Sequence, residues 1–314
     1  VTLNKIAKKL KQKRFDEGAI SLEQEEVRFK LDETGRPVSI YKKVRGDTHK
    51  LVEEFMLLAN REVASFVAKK HENEEGVFVY RIHDEPNTER IQNLAIFVKS
   101  LGYDLKMTDG KTTSRDINNL LEKLEGTSVK DMIQTAVVRS MAKAIYTTQN
   151  IGHFGLGFEF YTHFTSPIRR YPDTMVHRLL ARYLNNEKID AKEWKFYERM
   201  STFSSQREKE ASDAERGSIK YKQVEYMSER IGQVFDGVIS GVTEWGFYVE
   251  EKETKCEGMV PLRTLNDDFY NFEEKRYRLV GEKTKKIYSL GDKIKFKVEK
   301  TDLGRKTIDY SLVN

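Results

Sequence analysis

Two adjacent arginines, Arg169 and Arg170, stand in the middle of the chain behind Thr165, Ser166 and Pro167. A guanidinium group can bind two phosphate oxygens at once, and it stabilises the charge that develops on a phosphoryl group during transfer. Because proline is favoured in the first turn of a helix, the pattern predicts a helix from Pro167 whose free N–H groups attract the same phosphate. The segment is therefore suited to bind a phosphate, with Arg169 able to stabilise its charge and Arg170 as a backbone-phosphate or surface contact.

The residues around these arginines are suited to hold a nucleotide. Tyr161 and His163 can stack on a base or form hydrogen bonds with it, and the hydroxyls of Thr165 and Ser166 can bind a phosphate. Each has a structural alternative, since Thr165 and Ser166 can cap the predicted helix and His163 can be a buried histidine with satisfied hydrogen bonds. Asp173 is expected to brace the neighbouring arginines and not to bind a metal.

Apolar residues at three- and four-residue spacing predict most of the elements that must position this segment. The predicted helices cover 3–10, about 48–67, 88–102, 114–124 with Ser114 as its cap, 128–146, the residues after Pro167, and 191–229 as one or two helices. Alternation predicts a hairpin within 18–43 and a buried strand at 77–83. From Gly232 onward the pattern changes to short glycine-punctuated strands. The sequence therefore predicts an α+β protein with two domains, 1–229 and 230–314.

The strands after residue 230 resemble the RNA-binding OB fold of the ribosomal protein S-one type, a small β-barrel. Bases stack on aromatic side chains for about 1–3 kcal/mol each, and Trp245, Phe247 and Tyr248 stand together where such a barrel binds RNA. Because a strand sends successive side chains to opposite faces, one of Phe247 and Tyr248 is expected to be buried, and the sequence leaves open which one. Basic residues that could line the RNA backbone are Lys255, Arg263, Lys295 and Lys297.

Residues 152–173 read Gly-His-Phe-Gly-Leu-Gly-Phe-Glu-Phe-Tyr-Thr-His-Phe-Thr-Ser-Pro-Ile-Arg-Arg-Tyr-Pro-Asp and resemble the signature of the RNB exoribonuclease family. Segments 49–60 and 80–86 are also similar to the family pattern, and the resemblance covers essentially the whole chain. It implies a processive 3′→5′ exoribonuclease that hydrolyses RNA to nucleoside 5′-monophosphates, with Arg169 as the catalytic arginine. The implied fold is a mixed RNB catalytic domain, lacking its N-terminal part, followed by the OB-fold β-barrel.

The same resemblance assigns roles to two carboxylates. Glu54, or the neighbouring Glu53, matches a family residue that contacts the terminal ribose, where a carboxylate accepting both hydroxyls would select RNA with a free 3′ end. Glu215 matches a position near the last nucleotides. The alternative for both is a solvated place on a charged helix, although the apolar neighbours of Glu54 argue against it there. At Leu22 some relatives carry a phenylalanine that clamps a base, so that contact is not expected.

The family uses Mg²⁺ held by a cluster of aspartates, because hard oxygen ligands suit this ion. No closely spaced aspartate cluster precedes the segments above, and Asp267 and Asp268 lie in the barrel domain. We therefore expect the metal ligands upstream of this chain and none within it. The chain also begins without Met, so we expect it to be the C-terminal portion of a longer exoribonuclease that is nearly inactive on its own.

The composition excludes several classes of protein. The single cysteine, Cys256, excludes an internal disulfide framework and a multi-cysteine zinc site, which favours a cytoplasmic location. No apolar run approaches the about 20 residues of a membrane helix. The net charge of +5 permits a nucleic-acid partner without requiring one. The expected partner is single-stranded or structured RNA with a free 3′ end, bound by a monomer.

Two competing hypotheses remain from the sequence. The first is a non-catalytic RNA-binding protein that uses an RNB-like domain as a scaffold for its OB fold. The second is a structural or assembly protein without an RNA role, which would leave the aromatic and basic barrel residues unexplained. The salt dependence of RNA binding separates these classes, since phosphate contacts give a steep negative slope.

Overall fold

The computed structural model describes residues 1–22, 26–70, 76–127, 129–273 and 276–313. Most of the helical residues lie before residue 230 and most of the strand residues lie after it. This mixture confirms the predicted α+β class. The helices are α1 (Thr2–Asp16), α2 (Asp47–Lys70), α3 (Thr88–Ser100), α4 (Ser114–Lys123), α5 (Lys130–Ser140), α6 (Tyr171–Leu184) and α7 (Ala191–Ser228). The strands are β1 (Val27–Leu31), β2 (Pro37–Lys42), β3 (Tyr80–Ile82), β4 (Ile145–Thr147), β5 (Val234–Thr243), β6 (Gly246–Glu251), β7 (Glu257–Pro261), β8 (Tyr270–Glu273), β9 (Arg278–Gly281), β10 (Ile287–Ser289), β11 (Lys293–Asp302) and β12 (Thr307–Leu312).

The predicted hairpin is present as the antiparallel pair β1–β2. Its turn is closed by the side chain of Asp32, which accepts hydrogen bonds from the backbone N–H groups of Thr34 (2.8 Å) and Arg36 (2.9 Å). Residues 23–25 of the predicted range lie outside the described residues. A second antiparallel pair, β3–β4, joins the predicted strand at 77–83 to residues that the sequence had assigned to a helix.

Three helix ends differ from the prediction. The cap of α4 is Thr113 and not Ser114, because Thr113 and Asp116 form a reciprocal capping box. The helix predicted over 128–146 ends at Ser140, since Ile145 pairs with Ile82 in the β3–β4 ladder; residue 128 itself is outside the described residues. Helix α6 begins after Arg170, whose backbone is extended, and not at Pro167.

Helix α7 is a single helix of 38 residues that connects the two parts of the chain. Near its C-terminal end, Val224 and Met227 are fully buried in a core shared with the barrel. Lys220 donates to the carbonyl of Glu257 (2.6 Å), and Gln223 donates to the carbonyl of Lys255 (2.9 Å). The end of α7 is therefore packed and hydrogen-bonded to the barrel. The predicted boundary, between 229 and 230, falls in the link between α7 and β5.

Five strands close the predicted OB-fold barrel in the order β11-β12-β7-β6-β5, and β8, β9 and β10 form a small sheet beside it. Aromatic side chains fill the barrel, among them Phe247, Phe296 and Tyr310. Gly246 is required at the β5–β6 turn because its φ is +144° and a Cβ atom there would lie 2.2 Å from the carbonyl oxygen of Val260. In the described part of the chain, no helix has the length and apolar character needed to cross a membrane.

Candidate active site

The predicted phosphate-handling residues lie in one loop, residues 161–170, which we call the signature loop. Asn60, buried on α2, holds this loop at two points. Its Nδ2 donates to the hydroxyl of Tyr161 at 3.1 Å, and its Oδ1 accepts from the backbone N–H of Phe164 at 3.0 Å. The sequence prediction missed Asn60, whose signal is a polar residue on the otherwise apolar face of α2.

The end of the signature loop is a turn that carries Arg169. The carbonyl of Ser166 accepts hydrogen bonds from the N–H groups of Arg169 (3.3 Å) and Arg170 (3.1 Å). Asp173, fully buried in the first turn of α6, accepts from the N–H of Ser166 at 2.7 Å and from Nη2 of Arg170 at 2.9 Å. Arg169 itself is exposed. The turn therefore holds the backbone of Arg169 in place while its guanidinium group faces solvent.

This geometry changes the predicted role of two residues. Arg170, expected to be a backbone-phosphate or surface contact, is ion-paired with Asp173 and keeps only 19% of its side chain exposed. Ser166 does not cap the helix, because α6 begins after Arg170, and its backbone is bound by Asp173. The predicted brace between Asp173 and the arginines is present for Arg170. Within the described residues, three buried atoms of this turn have no hydrogen-bond partner: Thr165 Oγ1, Arg170 Nε and Asp173 Oδ1.

The aromatic residues of the signature loop pack against a row of rings. Tyr161 is 4% exposed, and its ring lies 5.2 Å from that of His153 and 5.7 Å from that of His163. Its predicted contact with a nucleotide is therefore not supported, because the ring is covered by protein. His163 is half-buried, and its Nδ1 lies 2.7 Å from the hydroxyl of Tyr146. Burial, aided by the nearby charge of Arg170, lowers the pKa of His163 to about 2.

A second ion pair closes the site from the side of α7. Arg81 on β3 binds both carboxylate oxygens of Glu208, at 2.5 and 3.0 Å, and its guanidinium group lies over the ring of Tyr146. Phe164 stacks on His177 with their ring centres 4.1 Å apart. The Phe164–His177 stack therefore packs the signature loop against α6, and the Arg81–Glu208 pair lies over Tyr146, whose hydroxyl contacts His163 of the loop.

Glu54, predicted to contact the terminal ribose, is buried and paired with Arg14 of α1. The guanidinium group of Arg14 binds both carboxylate oxygens, with the Nε–Oε2 distance at 3.3 Å. In this arrangement a ribose hydroxyl would have to share the carboxylate with Arg14. The neighbouring Glu53 is exposed and lies 3.7 Å from Arg45.

An open groove of about 390 Å³ runs between α2 and Thr165, with mostly apolar walls.

The barrel aromatics separate into surface and core. Trp245 is 70% exposed and Tyr248 is 37% exposed, so both can meet a ligand. Phe247 is fully buried and its ring packs on Tyr288, with the ring centres 5.1 Å apart. The predicted RNA contact of Phe247 is therefore wrong, because alternation along β6 places it in the core. Glu215 is exposed on α7.

The basic residues predicted to follow the RNA backbone differ in whether they form ion pairs with carboxylates. Arg263 and Lys295 are exposed. Lys297 is paired with Glu299 at 2.7 Å. Lys255 is held between two carboxylates, which makes it a structural residue of the barrel edge.

The described residues do not form a metal site by themselves. Across those stretches, no group of three or more His, Cys, Asp or Glu side chains is placed to hold a metal ion. Asp173 is bound by Ser166 and Arg170, and Asp268 accepts hydrogen bonds from the backbone of Thr284.

Comparison with known proteins agrees with this arrangement. Residues 1–186 match the model of the RNB domain, and residues 228–312 match that of the S1 RNA binding domain, which leaves most of α7 outside both. The chain belongs to the RNB domain family. Its relatives include ribonuclease R of Aquifex aeolicus, which is 38% identical over 305 residues (97% of this chain and 43% of the relative), and that of Thermotoga maritima, which is 40% identical over 316 residues (98% and 43%).

Solved structures of a relative have the same fold. The apo form of Mycoplasma genitalium RNase R superposes with a TM-score of 0.91 at 27% identity, covering 99% of this chain and 49% of that protein. The same enzyme in complex with ribose methylated single-stranded RNA superposes with a TM-score of 0.90 at 27% identity and the same coverage. The chain thus spans less than half the length of these relatives.

Proposed function

We propose that this chain is part of a processive 3′→5′ exoribonuclease that hydrolyses RNA to nucleoside 5′-monophosphates. The observation that carries the proposal is the turn of the signature loop, where an exposed Arg169 stands on a backbone bound by Ser166 and the buried Asp173. The relatives named ribonuclease R support the same activity, as does the solved RNA complex of one of them.

In this proposal, Arg169 binds the phosphate next to the cleaved bond. Its planar guanidinium group can contact two oxygens and stabilise charge as it develops. The exposed Trp245 and Tyr248 bind bases upstream on the strand by stacking. Glu54 binds the terminal ribose once it exchanges part of its contact with Arg14, and Glu215 lies near the last nucleotides. The substrate is single-stranded or structured RNA with a free 3′ end, bound by a monomer in the cytoplasm.

The proposed cofactor is Mg²⁺, with ligands upstream of Val1. Mg²⁺ activates water and neutralises phosphate charge in phosphodiester hydrolysis. The described residues of this chain do not fit such a site. On this basis, these 314 residues alone release nucleotides very slowly even when Mg²⁺ is supplied.

The test is Arg169→Lys in the full-length protein, with Arg36→Lys on the exposed β1–β2 turn as the control. Lysine keeps the charge but not the planar fork, so turnover of labelled single-stranded RNA is expected to fall by at least about 100-fold, while the Kd changes less than about threefold. An equal loss of binding and turnover would make Arg169 a binding residue. A full-length protein that binds RNA and releases no nucleotides would indicate the non-catalytic alternative.

A further inference from the structure

A cleft of about 640 Å³ lies between helices α3 and α5 and the β5–β6 face of the barrel. We call it the interdomain cleft. At its edges the ring of Phe97 meets that of Tyr277 edge-on at 5.2 Å, and Lys255 forms an ion pair with Asp131 of α5 at 3.3 Å. The volume is in the range that small-molecule sites occupy in proteins, and of the predicted RNA-contacting aromatics Tyr248 lines it.

The barrel wall of the interdomain cleft offers an aromatic surface. Tyr248 pairs with Gly241 across the β5–β6 ladder. A Cβ atom at Gly241 would lie 3.3 Å from Cδ2 of Tyr248, so the ring packs against a strand segment that has no side chain of its own. The ring remains 37% exposed. A planar base can therefore stack on it from the side of the cleft.

The helical wall of the interdomain cleft offers two cations. Arg90 on α3 and Arg139 on α5 both line the cleft and both are exposed. Neither side chain has an ion pair or a hydrogen bond to any other described residue. Because each guanidinium group is a planar fork of donors, each arginine is suited to bind the oxygens of a phosphate.

The acidic side chains of the interdomain cleft contact other side chains of the protein. Glu250 and Asp131 both bind Lys255, at 2.9 and 3.3 Å. Glu257 accepts a hydrogen bond from the hydroxyl of Ser240 at 2.8 Å. Among the cations that line the cleft, Lys255 is held by two carboxylates, whereas the two arginines are not, so a phosphate would be bound by the arginines.

We propose that the interdomain cleft binds one nucleotide, with its base on Tyr248 and its phosphate on Arg90 and Arg139. The proposal rests on the proposed function, which supplies the two sources of such a ligand: a nucleotide within an RNA strand, or a free nucleoside monophosphate. The barrel wall binds the base and the helical wall binds the phosphate. RNA recognition thus extends from the barrel onto α3 and α5.

The test uses the present chain with AMP, followed by isothermal titration calorimetry, and with a labelled 12-nucleotide oligoadenylate, followed by filter binding. Arg90→Ala and Arg139→Ala are each expected to weaken binding by about tenfold, and Arg36→Ala on the β1–β2 turn by less than twofold. Tyr248→Phe keeps the stacking ring and is expected to bind like the unaltered chain. Tyr248→Leu is expected to lose at least about fivefold.

The two probes separate the two sources of the ligand. Weaker binding of AMP in both arginine variants indicates a site for a free nucleotide, and an effect on the oligonucleotide alone indicates a nucleotide within a strand. The proposal is overturned if both arginine variants behave like Arg36→Ala with both probes, or if the unaltered chain binds neither. Unchanged oligonucleotide binding in the arginine variants would leave the exoribonuclease proposal intact, since that one is decided by turnover in Arg169→Lys.

Discussion

The carboxylate of Asp173 accepts a hydrogen bond from the backbone N–H of Ser166 at 2.7 Å, seven residues earlier in the chain. The same carboxylate binds Arg170, so one buried group fixes both ends of the turn that carries Arg169. A charged group without contact with water needs such partners to be tolerated. Asp173 is therefore a positioning residue for Arg169.

Asp173→Asn is expected to lower the free energy of unfolding by about 3 kcal/mol, because Arg170 loses its partner in a mostly buried place. The matched control is Asp213→Asn, which removes an ion pair with Arg216 at the same three-residue spacing on the exposed surface of α7. That variant is expected to lose less than about 0.5 kcal/mol. Urea unfolding of both variants provides the measurement. Equal losses would mean that burial of the Asp173 pair does not matter.

The Arg14–Glu54 pair gives a second prediction for stability. Arg14→Ala leaves a buried carboxylate without its cation and is expected to cost about 3 kcal/mol, and the further change Glu54→Leu is expected to restore much of that loss. Arg45→Ala, which removes the exposed partner of Glu53, is the control and should cost less than about 0.5 kcal/mol. If the double variant is no more stable than Arg14→Ala, the loss arises from packing of the arginine stem.

The elements that local patterns specify were predicted well. Helix α3 and the long barrel strands follow from spacing alone, since their apolar residues repeat with the period of the element. The start of α6 was predicted wrongly because Pro167 is a strong local signal for a helix start. A contact with a residue seven positions further along overrides it, because Asp173 binds the backbone of Ser166 and holds residues 166–170 in a turn.

The partners within the site could not be predicted from the sequence. Asn60 contacts Tyr161 and Phe164 from about 100 positions away, and Arg14 meets Glu54 across 40 positions. The spacing of residues within one helix or strand does not indicate which distant residues will pair. The resemblance to the RNB family identified the signature loop, but burial decided which of its side chains face outward. Phe247 is a comparable case, because alternation predicted one buried aromatic and the barrel closure determined which one.

The barrel aromatics provide a third prediction that separates binding from stability. Trp245→Ala is expected to weaken binding of single-stranded RNA by about tenfold and to change the free energy of unfolding by less than about 0.5 kcal/mol. Phe247→Ala is expected to cost about 4 kcal/mol in stability, because it empties a core position. Filter binding and urea unfolding measure the two effects. A stability loss in Trp245→Ala as large as that in Phe247→Ala would contradict the assignment of Trp245 to the RNA-binding surface and of Phe247 to the core.

Two half-buried histidines, His153 and His163, predict how stability depends on pH. Burial, with the charge of Arg170, lowers the pKa of His163 to about 2, and burial lowers that of His153 to about 3, whereas an unfolded histidine titrates near about 6.5. Below that pH the unfolded chain takes up protons that the folded protein does not, so the free energy of unfolding falls as the pH drops. The contribution is fully present above about pH 6.5. Each such histidine adds up to about 1.4 kcal/mol per pH unit to the slope.

His163→Gln removes one of these groups, so its free energy of unfolding is expected to fall less steeply than that of the unaltered chain between about pH 6 and pH 4.5. His49→Gln is the control, because His49 is exposed on the first turn of α2. The carboxylates titrate in all three proteins, so comparing the slopes removes their effect. Urea unfolding at several pH values gives the slopes, and if His163→Gln and His49→Gln have the same slope, His163 is not held neutral by the fold.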